Sequence, residues 1–176
     1  LDSKTSVHED YLKRIFRIAS TIFDGFDFAS CYIKEDPYIH FIDSIGYEIS
    51  ELNSFKFLSK EFHIDTKSPE YIKQANKTVY KSLPDDYSRF IQTNPTISES
   101  ICFGISIDDN LIGGMSFDIS QNSDKHFNQF HFESYKSFQK LMNSFFAINY
   151  LNYKNQNLKN EIVLSLIRTL ELYDHY

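Results

Sequence analysis

The stretch SICFGISIDDNLIGGMSFD, residues 100–118, decides the fold of this chain. Apolar residues alternate with small or polar ones on both sides of Asp108-Asp109-Asn110, and a period of two is typical of strands with one buried face. Asp and Asn tolerate the backbone conformations of tight turns, so these three residues predict a turn between two antiparallel strands. Gly113 and Gly114 predict a bulge, or close packing of the second strand under a helix.

A second hairpin is predicted nearer the amino terminus. Residues 26–33 and 38–45 are rich in aromatic and β-branched residues, and Glu35-Asp36-Pro37 between them has the composition of a turn. Gly46 follows the second of these strands and allows a backbone bend, because glycine has no side chain to restrict it. The chain therefore contains at least two antiparallel strand pairs.

A first helix precedes this hairpin. Apolar residues recur at intervals of three and four over residues 7–23, so one face of a helix would be apolar. Ser6, with Glu9 three residues later, has the pattern of a capping box at the start of the helix. Gly25 is a typical residue just beyond a helix end.

The stretch between the hairpins, residues 47–100, has weak periodicity. Phe55 to Phe57 predicts a short edge strand. Residues 69–80 predict a helix, since Ser68 is a favourable N-cap and Pro69 a favourable first residue. A long insertion of this kind inside a compact domain is often functional.

A second helix is predicted from Phe132 to the last residue, where neither glycine nor proline interrupts the pattern. The apolar stripe is wide as far as Leu151 and then narrows to a seam with intervals of three and four residues. Such a seam is typical of a coiled coil, in which Asn at a core position favours one register. The seam consists of Leu151, Asn155, Leu158, Ile162, Leu166, Thr169 and Tyr173.

The length of this helix bears on the oligomeric state. It would span about 65 Å at 1.5 Å per residue, which is more than one small domain can bury. We therefore expect the part beyond Leu151 to form a homodimer with a second copy of the chain. Burial of the same stripe on the chain's own sheet, as a core helix, is the alternative.

The composition excludes several classes of function. The formal net charge is −6 and the basic residues are scattered, which disfavours nucleic acid as a partner. No apolar run reaches the about 18 residues of a membrane span, so we expect no membrane contact and a cytoplasmic location. Cys31 and Cys102 lack the spacing of a zinc site or a disulfide framework, and we expect both to be buried.

The sequence predicts neither a catalytic nor a metal-binding constellation. The six histidines are dispersed, and a nucleophilic site would need Ser or Cys beside a histidine that a carboxylate orients. The five glycines form no phosphate-binding loop. We therefore expect no catalytic residue, no metal and no known cofactor in this chain, and no enzyme activity of its own.

The residues that we predict to line a small-molecule site fall mostly between the hairpins. They combine apolar rings with phenolic hydroxyls, a composition suited to an organic ligand. Ordinary packing of the segment on the sheet is the alternative, and strand alternation does not decide which sheet face holds a ligand. The predicted lining is Phe57, Phe62, His63, Tyr71, Tyr80 and Tyr87, with Phe103 and Ile105 as a floor.

The order helix, hairpin, variable segment, hairpin, helix resembles that of GAF domains. Ile45-Gly46-Tyr47-Glu48-Ile49 is similar to the end of the family's second strand, residues 100–118 to its late hairpin, and Phe130 to Glu133 to the entry into its last helix. The resemblance covers about residues 7–153. It implies an α+β, profilin-like fold, with a central antiparallel sheet of about five or six strands, the first and last helices on one face, and residues 55–97 capping the other.

The last stretch, Ile167-Arg168-Thr169-Leu170-Glu171-Leu172-Tyr173-Asp174-His175-Tyr176, resembles the lead-in to an HD-GYP or related HD-type metal phosphohydrolase domain. Together the two resemblances imply a GAF sensor domain over 1–153 and a signalling helix or linker over 154–176, joined to an output domain. The implied function is to bind an unidentified small-molecule effector and to signal through the dimeric helix to a cyclic-di-nucleotide phosphodiesterase. A ligand-free GAF domain that only dimerises the same phosphohydrolase is the alternative.

Overall fold

The computed structural model describes residues 3–61, 64–73, 75 and 96–173. The described strands form one six-stranded sheet in the order β3-β2-β1-β6-β5-β4, and each neighbouring pair is antiparallel. The elements in chain order are α1 (Ser3–Ile22), β1 (Phe28–Glu35), β2 (Tyr38–Ile45), α2 (Ile49–Leu52), β3 (Phe57–Leu58), a 3-10 turn (Ser59–Glu61), β4 (Glu70–Lys73), β5 (Ile97–Ile107), β6 (Asn110–Ser120) and α3 (Gln129–Tyr173).

Both predicted hairpins are confirmed. In the late hairpin Ile107 pairs with Asn110, and the two residues between them, Asp108 and Asp109, have φ values of 49° and 62°. Positive φ at both central residues is the conformation of a type I′ turn, whose twist matches that of the flanking strands. The acidic turn therefore fixes the register of the two longest strands.

The glycines of β6 serve close packing, as the sequence predicts. A Cβ atom on Gly113 would lie 2.9 Å from Cδ1 of Leu12 in α1, and one on Gly114 would collide with the Tyr32 hydroxyl and the Phe103 carbonyl. The register also shifts by one residue beside Ile105, so a bulge accompanies the close approach. Gly113 allows the first helix to lie directly on the middle of the sheet, and Gly114 makes room for the Tyr32 side chain on the opposite face.

Helices α1 and α3 pack on the same face of the sheet, as expected for a GAF-like fold. The core between them contains Phe117, whose ring contacts Phe16 of α1 at a centroid distance of 6.3 Å and Tyr135 of α3 at 4.8 Å. The buried members of this core are Leu12, Phe16, Ala19, Ala29, Cys31, Ile33, Ile101, Phe103, Ile105, Ile107, Met115, Phe117, Ile119, Phe127, Tyr135, Met142 and Phe146. A smaller apolar cluster on the opposite face joins Tyr32, Ile39, Phe41, Leu52 and Phe57.

Two local predictions were wrong. Helix α1 begins at Ser3, so Ser6 lies inside the helix and the predicted capping box does not mark its start. Residues 70–73 form strand β4 and not part of a helix, because residues 99–102 of β5 offer an open backbone edge with which they pair. Tertiary pairing overrides the local helix-start signal here. The remainder of that predicted helix lies outside the described residues, apart from Ala75, which is buried.

Asn128 caps helix α3, which begins at Gln129 and whose first fully buried side chain is Tyr135. The Asn128 side chain accepts a hydrogen bond from the backbone N–H of His131, and His131 Nδ1 accepts one from the Asn128 N–H. This reciprocal pair has the geometry of a capping box with histidine at the third helical position. The helix then runs without a break to Tyr173, and residues 151–165 are exposed. Among the described helices, none combines the length and apolar character needed to cross a bilayer.

Candidate functional site

The sheet face opposite the helices carries a row of polar side chains. Alternation along β5 and β6 directs one set of residues to the helices and the other set away from them. The second set includes Ser100, which pairs with Asp118, and Cys102, which pairs with Ser116. Ser30 of β1 extends the row, because it pairs with Ser116 from the other side. Three adjacent central strands thus present hydroxyls, a thiol and a carboxyl group on one face.

Asp118 is at the centre of this polar face and only 6% exposed. Its Oδ1 accepts hydrogen bonds from Ser100 Oγ at 2.5 Å and Ser116 Oγ at 2.7 Å, and its Oδ2 accepts one from the Tyr47 hydroxyl at 2.8 Å. Burial raises the pKa of Asp118 above its usual value, and the three hydroxyl donors oppose that rise only in part. Within the described ranges, no lysine or arginine forms an ion pair with it.

Gly46 brings Tyr47 to this carboxylate. Its φ of 77° is the left-handed conformation that favours glycine, and a Cβ atom there would collide with the ring of Phe28. The chain can therefore turn tightly after β2, and the Tyr47 ring lies beside Phe28 at a centroid distance of 5.0 Å. The Gly-Tyr pair that carries part of the GAF resemblance thus places the Tyr47 hydroxyl against Asp118 on the polar face.

Most of the predicted lining residues that the structure describes lie elsewhere. Phe103 and Ile105 are fully buried on the helix-facing side, where Phe103 contacts Phe138 of α3 at a centroid distance of 6.1 Å. They therefore belong to the core under the helices, whereas the alternate residues of β5, Ser100 and Cys102, face the polar side of the sheet. Phe57 is buried in the small cluster on the polar side of the sheet. Phe62, His63, Tyr80 and Tyr87 lie outside the described residues.

The two cysteines lie on opposite faces of the sheet. Cys31 is fully buried in the helix-facing core, as predicted. Cys102 is on the polar face and is partly exposed, so the prediction that it is buried was wrong. Burial raises the pKa of both thiols, which disfavours the thiolate that nucleophilic chemistry requires. Across the described part of the chain, no group of His, Cys, Asp or Glu is arranged to hold a metal ion.

Tyr71, another predicted lining residue, belongs to a second polar cluster at the sheet edge. Its hydroxyl donates to Glu99 at 2.8 Å, and the same carboxylate accepts from His126 Nδ1 at 2.8 Å and from the Phe127 N–H at 2.9 Å. The cluster therefore ties β4 and β5 to the entry of α3. His126 is one of the six dispersed histidines, and sequence alone does not predict this contact because Glu99 lies 27 residues away from it.

Glu99 gives a testable pH dependence. Burial acts to raise its pKa, but the hydrogen bonds from His126, Phe127 and Tyr71 outweigh burial and hold the pKa below its usual 4.5. The stabilisation is thus present above pH 4.5 and is lost as the pH falls through the lowered pKa of the folded state. We expect Glu99→Gln to lower the free energy of unfolding by about 1 kcal/mol at pH 7, and by less at pH 3.

Urea unfolding of the variant and the wild type at both pH values measures this effect. Glu70→Gln, an exposed change on the neighbouring strand, is the control and should leave stability unaltered at either pH. An equal loss in Glu99→Gln at pH 7 and at pH 3 would show that its carboxylate charge is not what stabilises the cluster.

A third polar cluster, which we call the amide joint, connects the middle of α3 to the sheet edge. Gln139 Nε2 donates to the carbonyls of Gly104 at 2.8 Å and Asp65 at 3.2 Å. Asn143 Nδ2 donates to the Thr66 carbonyl at 2.9 Å, and its Oδ1 accepts from the Ser106 N–H at 3.0 Å. The joint consists of Gln139, Asn143, Asp65, Thr66, Gly104 and Ser106.

The amide joint is not fully satisfied. Gln139 is 1% exposed, and its Oε1 accepts no hydrogen bond from any residue that the structure describes. A buried acceptor without a partner costs about 1–3 kcal/mol. The joint is therefore held by several bonds and yet carries one group that a rearrangement could satisfy.

Comparison with known proteins identifies the fold through structure and not through sequence. No protein-family model matches the sequence, and a search of curated proteins finds no match. A GAF domain/HD domain protein from Geobacter sulfurreducens superposes with a TM-score of 0.59 at 10% identity, over 81% of this chain and 95% of that one. A domain of a putative two-component sensor histidine kinase from Sinorhizobium meliloti gives 0.60 at 11% identity, over 85% and 95%.

A third solved structure has a bound chromophore. The phycocyanobilin-bound GAF domain of a cyanobacterial phytochrome matches with a TM-score of 0.50 at 14% identity, over 82% of this chain and 96% of that one. Identities of this size show the fold and nothing finer. With its antiparallel six-stranded sheet and its first and last helices on one face, this chain has the fold of a GAF domain.

Proposed function

We propose that this chain is a sensor domain that binds a small molecule and signals through a dimeric C-terminal helix. The observation that carries the proposal is the course of α3, a single helix from Gln129 to Tyr173. Its first half is built into the core through Tyr135, Met142 and Phe146. Its second half is exposed from residue 151 to residue 165, so one continuous helix connects the core to the exposed seam.

The dimer is supported by the exposed apolar seam on that second half. Leu158 is 54% and Ile162 52% exposed, and every residue from 151 to 165 is exposed. The alternative of a core helix on the same sheet thus finds no support. The stripe also extends back into the packed half, since Leu141 and Ile148 lie seven residues apart and are exposed. The side chains of the three distal members, Leu166, Thr169 and Tyr173, lie outside the described residues.

Ligand binding is supported by the polar face around Asp118. Hydroxyl groups, a carboxyl group and aromatic rings on one buried sheet face suit a polar organic ligand. The bilin-bound phytochrome domain shows that a GAF fold can hold a small molecule. The ligand would act by population shift, because it must bind better to one arrangement of the dimeric helices than to the other.

The proposed output partner is an HD-type cyclic-di-nucleotide phosphodiesterase domain beyond residue 176. Its support is the resemblance of residues 167–176 to the lead-in of such domains, together with the likeness to a GAF domain/HD domain protein. We propose residues 1–153 as the sensor domain and 154–176 as the signalling helix. The chain itself acts in this proposal as a regulatory domain.

Native mass spectrometry of the purified chain, beside a denatured sample, tests both parts of the proposal. We expect a dimer that carries an extra small mass, which denaturation releases. A dimer without added mass, and without a ligand in a thermal-shift screen, would favour the alternative of a domain that only dimerises its parent enzyme. A monomer at micromolar concentration would contradict the proposed dimer.

A further inference from the structure

The amide joint connects three parts of the molecule at one place. Asp65 and Thr66 lie in the segment that would cap the ligand face, Gly104 and Ser106 lie in β5, and Gln139 and Asn143 lie one turn apart on α3. Gln139 and Asn143 are about two to three helical turns before Leu151, where the exposed seam starts. A movement at the joint would therefore reach the seam through an uninterrupted helix.

In the amide joint, the side chains of α3 form hydrogen bonds with backbone groups and not with other side chains. Each of its bonds from α3 ends on a carbonyl or N–H of the partner residue, and the Gly104 N–H donates in addition to the Asp65 carbonyl at 3.1 Å. These backbone groups are free for α3 because β4 pairs with β5 only as far as Cys102. The backbone of 65–66 consequently cannot shift without pulling on Gln139 and Asn143 or losing their hydrogen bonds.

The joint is also poised to rearrange. Gln139 Oε1 has no donor within the described ranges, so the present bonding pattern leaves one buried acceptor unused. Elements that move in regulation come from the less stable parts of a structure. The amide joint has several hydrogen bonds, which can transmit a movement. It also has one unused acceptor, which a different arrangement could satisfy, so it suits a part that moves in regulation.

We propose that the amide joint transmits displacement of residues 65 and 66 to α3, with Gln139 and Asn143 as positioning residues. That a small molecule causes the displacement rests on the function proposed above. The mechanical connection itself needs no ligand, so it can be tested in the chain alone. A ligand search that finds nothing and an exchange experiment that finds no coupling through the joint are then separate results.

The test displaces the segment without removing any hydrogen bond of the joint. The Asp65 side chain is exposed and accepts from the Lys67 N–H at 2.7 Å, which shapes the local turn. Asp65→Ala removes this bond and keeps the Asp65 carbonyl. Amide hydrogen exchange, followed by mass spectrometry, reports on the segment 64–69 and on residues 139–150 of α3 separately.

We expect Asp65→Ala to speed exchange roughly tenfold in both regions of the otherwise wild-type chain. In the background Gln139→Met with Asn143→Ala, the same change should speed exchange in 64–69 and alter 139–150 by less than about twofold, because the two regions no longer share bonds. Asn149→Ala is the matched control, since among the described residues this amide bonds only within its own helix, to Phe145 O at 2.8 Å. In that background the coupling should persist.

The proposal would be overturned if Asp65→Ala sped amide exchange in α3 equally with and without the joint. It would also be overturned if Asp65→Ala left exchange in α3 of the otherwise wild-type chain unchanged. Circular dichroism must show a folded protein in each background. Should the double variant unfold, Asn143→Ala alone replaces it, and a coupling reduced by less than half would then count against the joint.

Discussion

Asp118→Ala is expected to lower the free energy of unfolding by about 3 kcal/mol, measured by urea unfolding at pH 7. The substitution removes the acceptor for Ser100, Ser116 and Tyr47 together. Ser100 is itself buried, and its hydroxyl would keep only the contact to the Ser116 oxygen at 3.1 Å. Unpaired hydroxyls in a buried site account for most of the expected loss.

The paired variant Asp118→Asn separates hydrogen bonding from charge. Asparagine keeps the shape of the side chain and one carbonyl acceptor, and it does not ionise. Because the pKa of Asp118 is raised in the folded state, the folded chain holds this proton more tightly than the unfolded chain. The wild type should then lose stability as the pH rises from 3.8 through the raised folded pKa, whereas this contribution is absent in Asp118→Asn.

We therefore expect the stability of Asp118→Asn relative to the wild type to increase with pH above 3.8, while Asp118→Ala is the less stable variant throughout. Unfolding curves at one-unit steps from pH 4 to pH 8 provide the measurement. Parallel profiles for the wild type and Asp118→Asn would show that the carboxyl group ionises normally, with the charge stabilised by its surroundings.

The fold was predictable because its strongest signals are local. The alternation in 100–118 and the turn at Asp108-Asp109 suffice for the late hairpin, and Gly46 marks the bend that the structure places there. The continuous pattern after residue 132 likewise predicts a long helix, which the structure extends back to Gln129. In each case neighbours in sequence supply the decisive contacts.

Strand β4 shows where such reasoning fails. Residues 68 and 69 have the composition of a helix start, but the backbone partners of 70–73 lie about thirty residues later in β5. No local feature reports that an edge of β5 is open. The same limit applies to Glu99, whose three partners come from β4 and from the loop before α3.

The polar face had a signal that the sequence analysis did not use. The small or polar positions of β5 include Ser100 and Cys102, and those of β6 include Ser116 and Asp118, all alternating with apolar residues. Phe103 and Ile105, the predicted floor, belong to the apolar set, and two long helices need such an apolar face to pack against. Assigning that set to the helices leaves the polar set for the opposite face of the sheet, where we propose the ligand site.

Replacing Leu158 and Ile162 together by aspartate is expected to abolish the proposed dimer. Both side chains are exposed in the single chain, so the change should leave the folded domain itself unaffected. A dimer would bury four aspartates in its apolar seam. Even about 1.4 kcal/mol for each would weaken association roughly ten-thousandfold. Sedimentation velocity over a range of concentrations measures the loss.

Asn157→Asp with Asn160→Asp is the matched control for this prediction. It adds the same charge to the same turns of α3, at exposed positions outside the seam. Retained association in the control and monomers in the seam variant would locate the dimer contact on one face of the helix. If the seam variant stays dimeric, the contact lies nearer the domain. Leu141 and Ile148 of α3 are then the residues to change, because the same exposed stripe continues through them.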